Sequence, residues 1–263
     1  MIDETRALSV GTPLDHFVLP TLDLKRASTV FVELGFTVTP RTEHSVEMGT
    51  ANCCVMLSST YIELLTVVRV TERSSGWQAL MNEGGGIRGI ALRTGNARSA
   101  CDALLKMGFA AGQVIAFERP DERGNRLRFQ VCRLPAPATP GFRLIVCAHE
   151  TPELVWRSEW TRHPNGAIEL SAAGIGVPDP IAAADVLRRV SGSLPDRAQS
   201  GHLTTVTLCS ATEPNHLRLS IADLGTAERI VCGSRFPARF QQDGIAIDLR
   251  AELGVVLDLE PVQ

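Results

Sequence analysis

The sequence has little of what nucleic-acid-binding or membrane-spanning proteins need. Among 263 residues, 26 basic and 29 acidic side chains give a formal net charge of −3, so the chain lacks the positive excess typical of nucleic-acid binding. Aromatic residues make up 5% and include a single tyrosine, Tyr61, which argues against base-stacking platforms. No apolar run approaches the roughly 18 uninterrupted residues that span a bilayer. We therefore expect neither a nucleic-acid partner nor a membrane.

Two further absences concern compartment and metal. The segment Met1–Arg6 is charged and lacks the apolar core of a secretory signal, so we predict a cytoplasmic protein. The seven cysteines form no C-x-x-C pair, which excludes a zinc ribbon and favours reduced, buried thiols. The pattern G-x-G-x-x-G at Gly84, Gly86 and Gly89 precedes a strand instead of following one, so it is interpreted as a connecting loop and not as a dinucleotide site.

An internal repeat is the main positive feature. Residues 14–36 and 87–109 share an apolar run, an N-cap residue (Asp23 or Asn96), an amphipathic stretch and a closing glycine. A fainter copy at 170–192 has Asp179 as N-cap followed by Pro180. Each copy leads into runs typical of β-strands, among them Arg229–Ser234 in the last one.

The repeat predicts the fold class and the domain organisation. We expect an α+β protein of repeated βαβββ modules whose curved mixed sheets surround a cup. The first module is placed at 13–82, the second, paired with it, at 83–155, and a third, degenerate βαβββ-like module at 156–263. Because an odd number of modules leaves one open sheet unpaired, we predict a homodimer.

Several segments resemble a known family. The opening LDHFVLPTLDL, the stretch LGFTVTPRTEHSVEMGTAN and the strand YIELL look like the vicinal oxygen chelate superfamily, which includes glyoxalase I, extradiol dioxygenases and bleomycin-resistance proteins. HETPELVWRSEW and RHPNGA make the chain most similar to its glyoxalase-like domain group. The resemblance is specific for the fold and weak for the reaction, since the superfamily spans several chemistries.

The resemblance implies a metal site with a histidine from the first strand of a module and a glutamate from its last strand. His16 and Glu63 match these positions, whereas the second module has Gly89 and the third Ala172 in place of His16. His149 is a candidate third ligand, which would complete a set of two histidines and one carboxylate. The ion would be Fe, Mn, Zn, Ni or Co, or the site would hold none.

Other readings of the same residues stay open. His16 could be a satisfied histidine in an apolar cup, and Glu63, which shares a strand face with Tyr61, could face solvent or the cup. Without a metal, Glu63 could pair with Arg143 or act as a general base. His44 lies in a polar loop, where it is either an acid or base over the cup or a surface histidine. The remaining candidates, which would contact the substrate, are Asn52, Tyr61 and Arg143.

Two classes of function follow from these readings. The first is a metal-dependent lyase, isomerase or dioxygenase in which the ion chelates adjacent oxygens of a small molecule. The second is a metal-free small-molecule-binding or resistance protein that uses the same cup. The pair His16 and Glu63 favours the enzyme, and the missing equivalents in the other modules favour the binding protein.

Overall fold

The computed structural model describes residues 8–194 and 203–262. Its elements, in chain order, are β1 (Leu8–Thr12), β2 (Leu14–Pro20), α1 (Leu24–Glu33), β3 (Thr42–Glu43), β4 (Thr50–Met56), β5 (Tyr61–Val67), α2 (Ser75–Asn82), β6 (Gly89–Arg93), α3 (Ala97–Lys106), β7 (Ile115–Pro120), β8 (Arg126–Arg133), a 3₁₀ turn (Ala136–Ala138), β9 (Arg143–His149), α4 (Pro152–Val155), β10 (Ala167–Val177), α5 (Pro180–Ser193), β11 (Thr204–Ser210), β12 (Asn215–Ile221), α6 (Leu224–Cys232), β13 (Ala238–Gln241), β14 (Gly244–Leu249), α7 (Arg250–Leu253) and β15 (Val255–Pro261).

The first sheet has the strand order β3-β4-β5-β2-β6-β9-β8-β7. Its first βαβββ unit is β2-α1-β3-β4-β5 and its second is β6-α3-β7-β8-β9. In each unit the first strand pairs in parallel with the last, and the two first strands, β2 and β6, pair antiparallel at the centre. The predicted α+β class with repeated βαβββ units in curved mixed sheets is confirmed.

The helices begin where the sequence predicts. The Asp23 carboxylate accepts a hydrogen bond from the Arg26 amide at 2.9 Å, and Asn96 caps α3 through the Ser99 amide at the same distance. Each cap satisfies one of the amides that the first turn of a helix leaves without a partner. The apolar side of α1, including Leu24 and Phe31, is buried against the sheet.

The C-terminal segment differs from the expected single third module. The segment Arg229–Ser234, predicted as a strand, lies mostly in helix α6. The error arose because β-branched Ile230 and Val231 favour strands, whereas Asp223 starts a helix by accepting from the Thr226 amide at 3.2 Å. The range 156–263 therefore contains β10-α5-β11 and then a further unit, β12-α6-β13-β14-β15.

These two C-terminal units pair with each other. Strands β10 and β12 run antiparallel at the centre of the second sheet, whose order is β1-β11-β10-β12-β15-β14-β13. The N-terminal strand β1 completes the shorter unit by pairing with β11. No unit in the described part of the chain is left over, so the argument for a homodimer loses its premise, and the oligomeric state stays a prediction.

Two apolar clusters define the layers. The larger one joins the convex faces of both sheets with the helices that cover them, and includes Phe17, Phe31, Leu104, Leu187 and Leu217. The smaller one lies on the opposite, concave face of the first sheet and includes Val18, Tyr61, Trp77 and Phe129. The concave face is therefore apolar. Trp77 of α2 covers one end of it, and the uncovered part forms a cup.

The centre of the first sheet has no room for a side chain at position 89. A Cβ atom on Gly89 would lie 2.7 Å from the Trp77 ring and 2.8 Å from the Val18 Cβ. Both neighbours are almost fully buried. Gly89 is thus required by close packing, at the position where the first unit carries His16.

Substituting Gly89 with alanine is expected to destabilise the protein by about 1–3 kcal/mol, because the added methyl overpacks a tight contact. Gly112→Ala is the matched control: its Cβ would meet nothing closer than 3.5 Å, so a change below about 1 kcal/mol is expected. Urea unfolding of both variants measures the difference. Equal stabilities of the two variants would contradict the packing argument.

Candidate functional site in the cup of the first sheet

The cup encloses about 590 Å³, its open mouth included. Its wall is largely apolar and aromatic, with Met48, Trp77, Phe117, Phe129 and Ile145 among its members. The polar and charged side chains that reach it are His16, His44, Thr50, Asn52, Tyr61, Glu63, Arg119, Arg133 and Cys147. An apolar cavity with a few converging polar groups is the usual form of a small-molecule site.

A β-bulge organises the floor of the cup. Leu14 pairs with Leu92 and His16 with Ala91, so β2 advances by two residues where β6 advances by one. The extra residue is Asp15, and a bulge of this kind changes the direction of a side chain. Asp15 and His16 consequently lie side by side, with the Asp15 carboxylate 2.7 Å from Nδ1 of His16.

The Asp15 carboxylate is fully buried and joins three cationic or ring-nitrogen groups. It accepts from Arg93 Nε at 2.9 Å, and Nε2 of His149 lies 3.0 Å from each of its oxygens. Burial alone would raise the pKa of Asp15, but His149, His16 and Arg93 together hold that pKa well below its usual range. Asp15 is therefore a buried anion stabilised by hydrogen bonds and neighbouring charge.

His16 and Glu63 converge on the cup. Glu63 Oε2 lies 3.6 Å from Nε2 of His16, while its Oε1 accepts from the Asn52 amide at 2.6 Å. The ring of Tyr61 stacks on His16 with a centroid distance of 4.3 Å. Each member of the pair is thus held in orientation by a neighbour outside it, His16 by Asp15 and Tyr61, and Glu63 by Asn52.

His44 is half-buried in the wall of the cup and is not a surface histidine. Its Nδ1 lies 2.7 Å from the Thr50 hydroxyl, and its ring meets Phe117 edge to face. Burial lowers the pKa of His44 to about 4, with Arg119 and Arg133 adding to the effect and Glu63 opposing it. At neutral pH, His44 is therefore an uncharged imidazole.

Five of the predicted site residues meet in the cup: His16, His44, Asn52, Tyr61 and Glu63. Arg143 is outside the lining, with its guanidinium over the Trp77 ring, 5.3 Å from the centroid. His149 also lies outside it. The bulge turns Asp15 towards His149, so this imidazole faces Asp15 rather than the His16–Glu63 pair.

Sequence reasoning missed Asp15 and the two arginines of the wall, Arg119 and Arg133. An acid directly before His16 in an apolar strand was an available signal, since a buried carboxylate requires partners. Strand alternation also places Arg133 on the same face as Phe129 and Val131. In the sequence, however, Arg133 at the end of β8 resembles the solvent-facing arginines of the same strand.

Among the described residues, one group of three potential ligands clusters within 4.8 Å, formed by Asp15, Cys147 and His149. Its carboxylate is already engaged by Arg93 and two imidazoles, and burial, followed by Asp15 and Glu63, raises the pKa of the Cys147 thiol well above its usual range. The ligand atoms of this group are therefore already engaged with one another and with Arg93, and the group has a structural role below the cup. None of the described helices has the length and apolarity to cross a bilayer.

The second sheet carries a related pair on its open face. In the first sheet, Glu63 lies opposite Val18, the residue two positions after His16. In the second sheet, Asp258 lies opposite Arg218, the residue two positions after His216. His216 Nδ1 lies 3.4 Å from Asp258. Polar residues such as Thr205 and Thr207 surround this pair in place of an aromatic wall.

Comparisons with known proteins agree with this architecture. The model of the glyoxalase-like domain family matches residues 14–191. A hypothetical protein from Staphylococcus aureus is 13% identical with a TM-score of 0.68, over 95% of this chain and 99% of that one. A variant of 4-hydroxymandelate synthase from Streptomyces coelicolor is 11% identical with a TM-score of 0.57, over 96% of this chain and 94% of that one.

Methylmalonyl-CoA epimerase from Mycobacterium tuberculosis is 20% identical with a TM-score of 0.43, over 58% of this chain and 97% of that one. No curated protein matches the chain in sequence. The Staphylococcus aureus and Streptomyces coelicolor structures cover nearly the whole chain, so their likeness of fold includes the second sheet.

Asp15→Asn is expected to destabilise the protein by about 3–5 kcal/mol at pH 7, because it replaces the buried anion that Arg93 and two imidazole nitrogens contact with a neutral amide. The control is Asp23→Asn, where asparagine caps a helix equally well and the change stays within a few tenths of a kcal/mol. Since the folded pKa of Asp15 is depressed, its contribution is full above about pH 4 and is lost as the pH falls further. Chemical unfolding at several pH values measures both effects, and a small, pH-independent loss would contradict them.

The lowered pKa of His44 predicts a second pH dependence. Its folded pKa lies below the value of about 6.5 in an unfolded chain, so only the unfolded state takes up a proton between about pH 6.5 and 4. Stability therefore falls across this interval, by about 3 kcal/mol from this group. His44→Gln is expected to remove that part of the decline and His216→Gln to keep it, as measured by unfolding free energies at pH 7 and 4. Parallel pH profiles for wild type and His44→Gln would show that the pKa of His44 is not lowered.

Proposed function

The chain belongs to the glyoxalase-like domain family of the vicinal oxygen chelate superfamily, and from that premise we propose that it is an enzyme acting on a small molecule in the cup, with a divalent metal ion held by His16 and Glu63. The observation that carries the proposal is the 3.6 Å approach of His16 Nε2 to Glu63 Oε2 at the floor of an apolar cup.

The surroundings of the pair fit a metal ion. Histidine ligands characteristically engage a carboxylate through their other ring nitrogen, and ligating carboxylates are themselves hydrogen-bonded. Asp15 does the first for His16 at 2.7 Å, and Asn52 does the second for Glu63 at 2.6 Å. A separation of 3.6 Å is also close to that of two ligand atoms each bonded at about 2.0–2.2 Å to one ion.

The chain supplies two ligands from this unit and none from its partner unit. Gly89 and Ile145 occupy the positions that correspond to His16 and Glu63. The remaining coordination positions would therefore be open to substrate oxygens and water. When bound, such an ion polarises a carbonyl and stabilises negative charge that develops on adjacent oxygens.

The chain's own groups supply orientation and proton transfer. Asn52 holds Oε1 of Glu63, which leaves Oε2 directed at the cup. This oxygen would bind the ion and, on leaving it, would accept a proton from a bound molecule. Tyr61 and Asp15 fix the His16 ring. His44, with its pKa near 4, serves as a neutral hydrogen-bonding group rather than as a strong base. The aromatic wall keeps water from the reacting atoms.

A metal-free binding protein is the second candidate. The observation that favours it is the closure of the second half of the site, where Trp77 and Val18 occupy the space that a side chain at position 89 would need. In this alternative, His16 and Glu63 would serve as hydrogen-bonding groups for a sequestered molecule. Metal content distinguishes the two functions.

The test is metal analysis of protein purified without chelator, followed by Mn²⁺ titration in a calorimeter. We expect about one ion per chain, loss of binding in His16→Ala and Glu63→Gln, and a 10- to 100-fold weakening in Asp15→Asn, as for other outer-shell partners. His216→Ala, which removes the related histidine of the second sheet, is the matched control and is expected to bind normally. A metal-free wild type that ignores Mn²⁺, or binding that survives both ligand substitutions, would favour the binding protein.

A further inference from the structure

We infer that Arg133 binds a carboxylate of the molecule that occupies the cup, so that the ligand is a small organic acid with an apolar or aromatic body. The inference rests on the proposed function only in that a small molecule enters the cup. It adds the chemical class of that molecule and the residue that selects it.

The guanidinium of Arg133 lies in the wall without an acidic partner. Its Nη1 donates to the carbonyl of Arg73 at 3.2 Å, and Nη2 lies 3.8 Å from the Met48 sulfur, a weak acceptor. Its Nε is buried and makes no hydrogen bond. Across the described ranges, no carboxylate approaches this guanidinium within 4.0 Å. The two Nη groups therefore keep donors that no described carboxylate engages.

Two other half-buried arginines have an acidic partner. Arg93 contacts Asp15 at 2.9 Å, and Arg157 contacts Asp121 at 3.4 Å and also Glu122. Removing a guanidinium from water without a counter-charge is unfavourable, and buried charges are therefore normally paired. Arg133 instead belongs with Arg88 and Arg143, which also have no carboxylate partner among the described residues, but of these three arginines Arg133 is the one that lies in the wall of the cup.

The surrounding charges make the cup positive. Burial, then Arg143 and Arg73, lower the pKa of Arg133 to about 10, while Glu63 opposes them. Arg119 is a second guanidinium in the lining, whereas Glu63 is the one carboxylate there among the described residues. Glu63 is already engaged by Asn52 and His16. A chain with a net charge of −3 therefore has a locally cationic cavity, which attracts an anion.

The rest of the wall defines the body of the ligand. Trp77, Phe117 and Phe129 offer aromatic surface to a small molecule that enters the cup. The planar fork of a guanidinium matches a carboxylate in two parallel hydrogen bonds. A ligand held in this way would place its carboxylate at Arg133 and its apolar body against the rings. We therefore choose a carboxylate over a free phosphate, which has no apolar body.

The test compares phenylacetate with its neutral analogue 2-phenylacetamide and with inorganic phosphate, by calorimetry up to millimolar concentrations. We expect phenylacetate to bind and the amide to bind at least about tenfold more weakly, since hydrogen bonds to a charged group are the stronger ones. Arg133→Gln is expected to weaken phenylacetate by about 10- to 100-fold and Arg133→Lys by less. The control Arg128→Gln, on the outward face of the same strand, is expected to change nothing.

Stability separates ligand binding from a structural role. Because Arg133 is buried without a counter-ion, Arg133→Gln is expected to keep or raise the melting temperature of the free protein. A structural residue would lower it. Phenylacetate that does not bind, binds no better than the amide or binds undiminished to Arg133→Gln would overturn the inference, as would a variant that loses stability together with binding. Tighter binding of phosphate than of phenylacetate would overturn the choice of a carboxylate.

A failure of this inference can be told from a failure of the proposed function. Mn²⁺ titration of Arg133→Gln is expected to match wild type, because the metal ligands are His16 and Glu63. If Mn²⁺ does not bind wild type but phenylacetate still requires Arg133, the metal proposal fails and the carboxylate site stands. If Mn²⁺ binds normally and phenylacetate ignores the substitution, the carboxylate site fails alone.

Discussion

The site depends on one buried anion, the Asp15 carboxylate. It lies beneath the cup and joins Arg93, His16 and His149, which come from three neighbouring strands. An isolated carboxylate at this depth would be strongly disfavoured, and the three partners compensate for its loss of water. Because the same contact fixes the ring of His16, the group that stabilises the centre of the sheet also directs Nε2 of His16 towards Glu63. Stability and function are therefore coupled at a single residue of the bulge in β2.

The two paired units of the first sheet have different tasks. The first unit supplies the polar pair, with His16, Asn52 and Glu63. The second supplies a large part of the wall, including Phe117, Phe129 and Arg133. At the positions that correspond to His16 and Glu63 it has Gly89 and Ile145, so it carries no polar pair of its own. The second sheet repeats the register of the pair in His216 and Asp258, but its open face is polar. The fold thus offers equivalent positions several times and encloses one of them in an apolar cup.

The sequence predicted the repeats, the helix caps and the strand faces, because apolar periodicity and N-cap chemistry are local. His16 and Glu63 were singled out by the family resemblance, whereas strand alternation alone left Glu63 facing either the cup or solvent. Asp15 and the position of His149 could not, since a bulge changes which way a side chain faces and leaves no distinct local pattern. The fourth unit was missed because the β-branched residues of α6 resemble a strand. Strand alternation puts Arg133 on the face of Phe129 and Val131, but its lack of an acidic partner exists only in three dimensions.

The central claim is that the pair of His16 and Glu63 binds a metal ion at the floor of the cup. Anomalous diffraction from crystals soaked in Mn²⁺ tests it most directly, because it locates the ion without reference to activity. We predict an anomalous peak between Nε2 of His16 and Oε2 of Glu63, at about 2.0–2.4 Å from each atom. An empty floor in crystals that contain Mn²⁺ elsewhere, or a peak among Asp15, Cys147 and His149 instead, would contradict the claim.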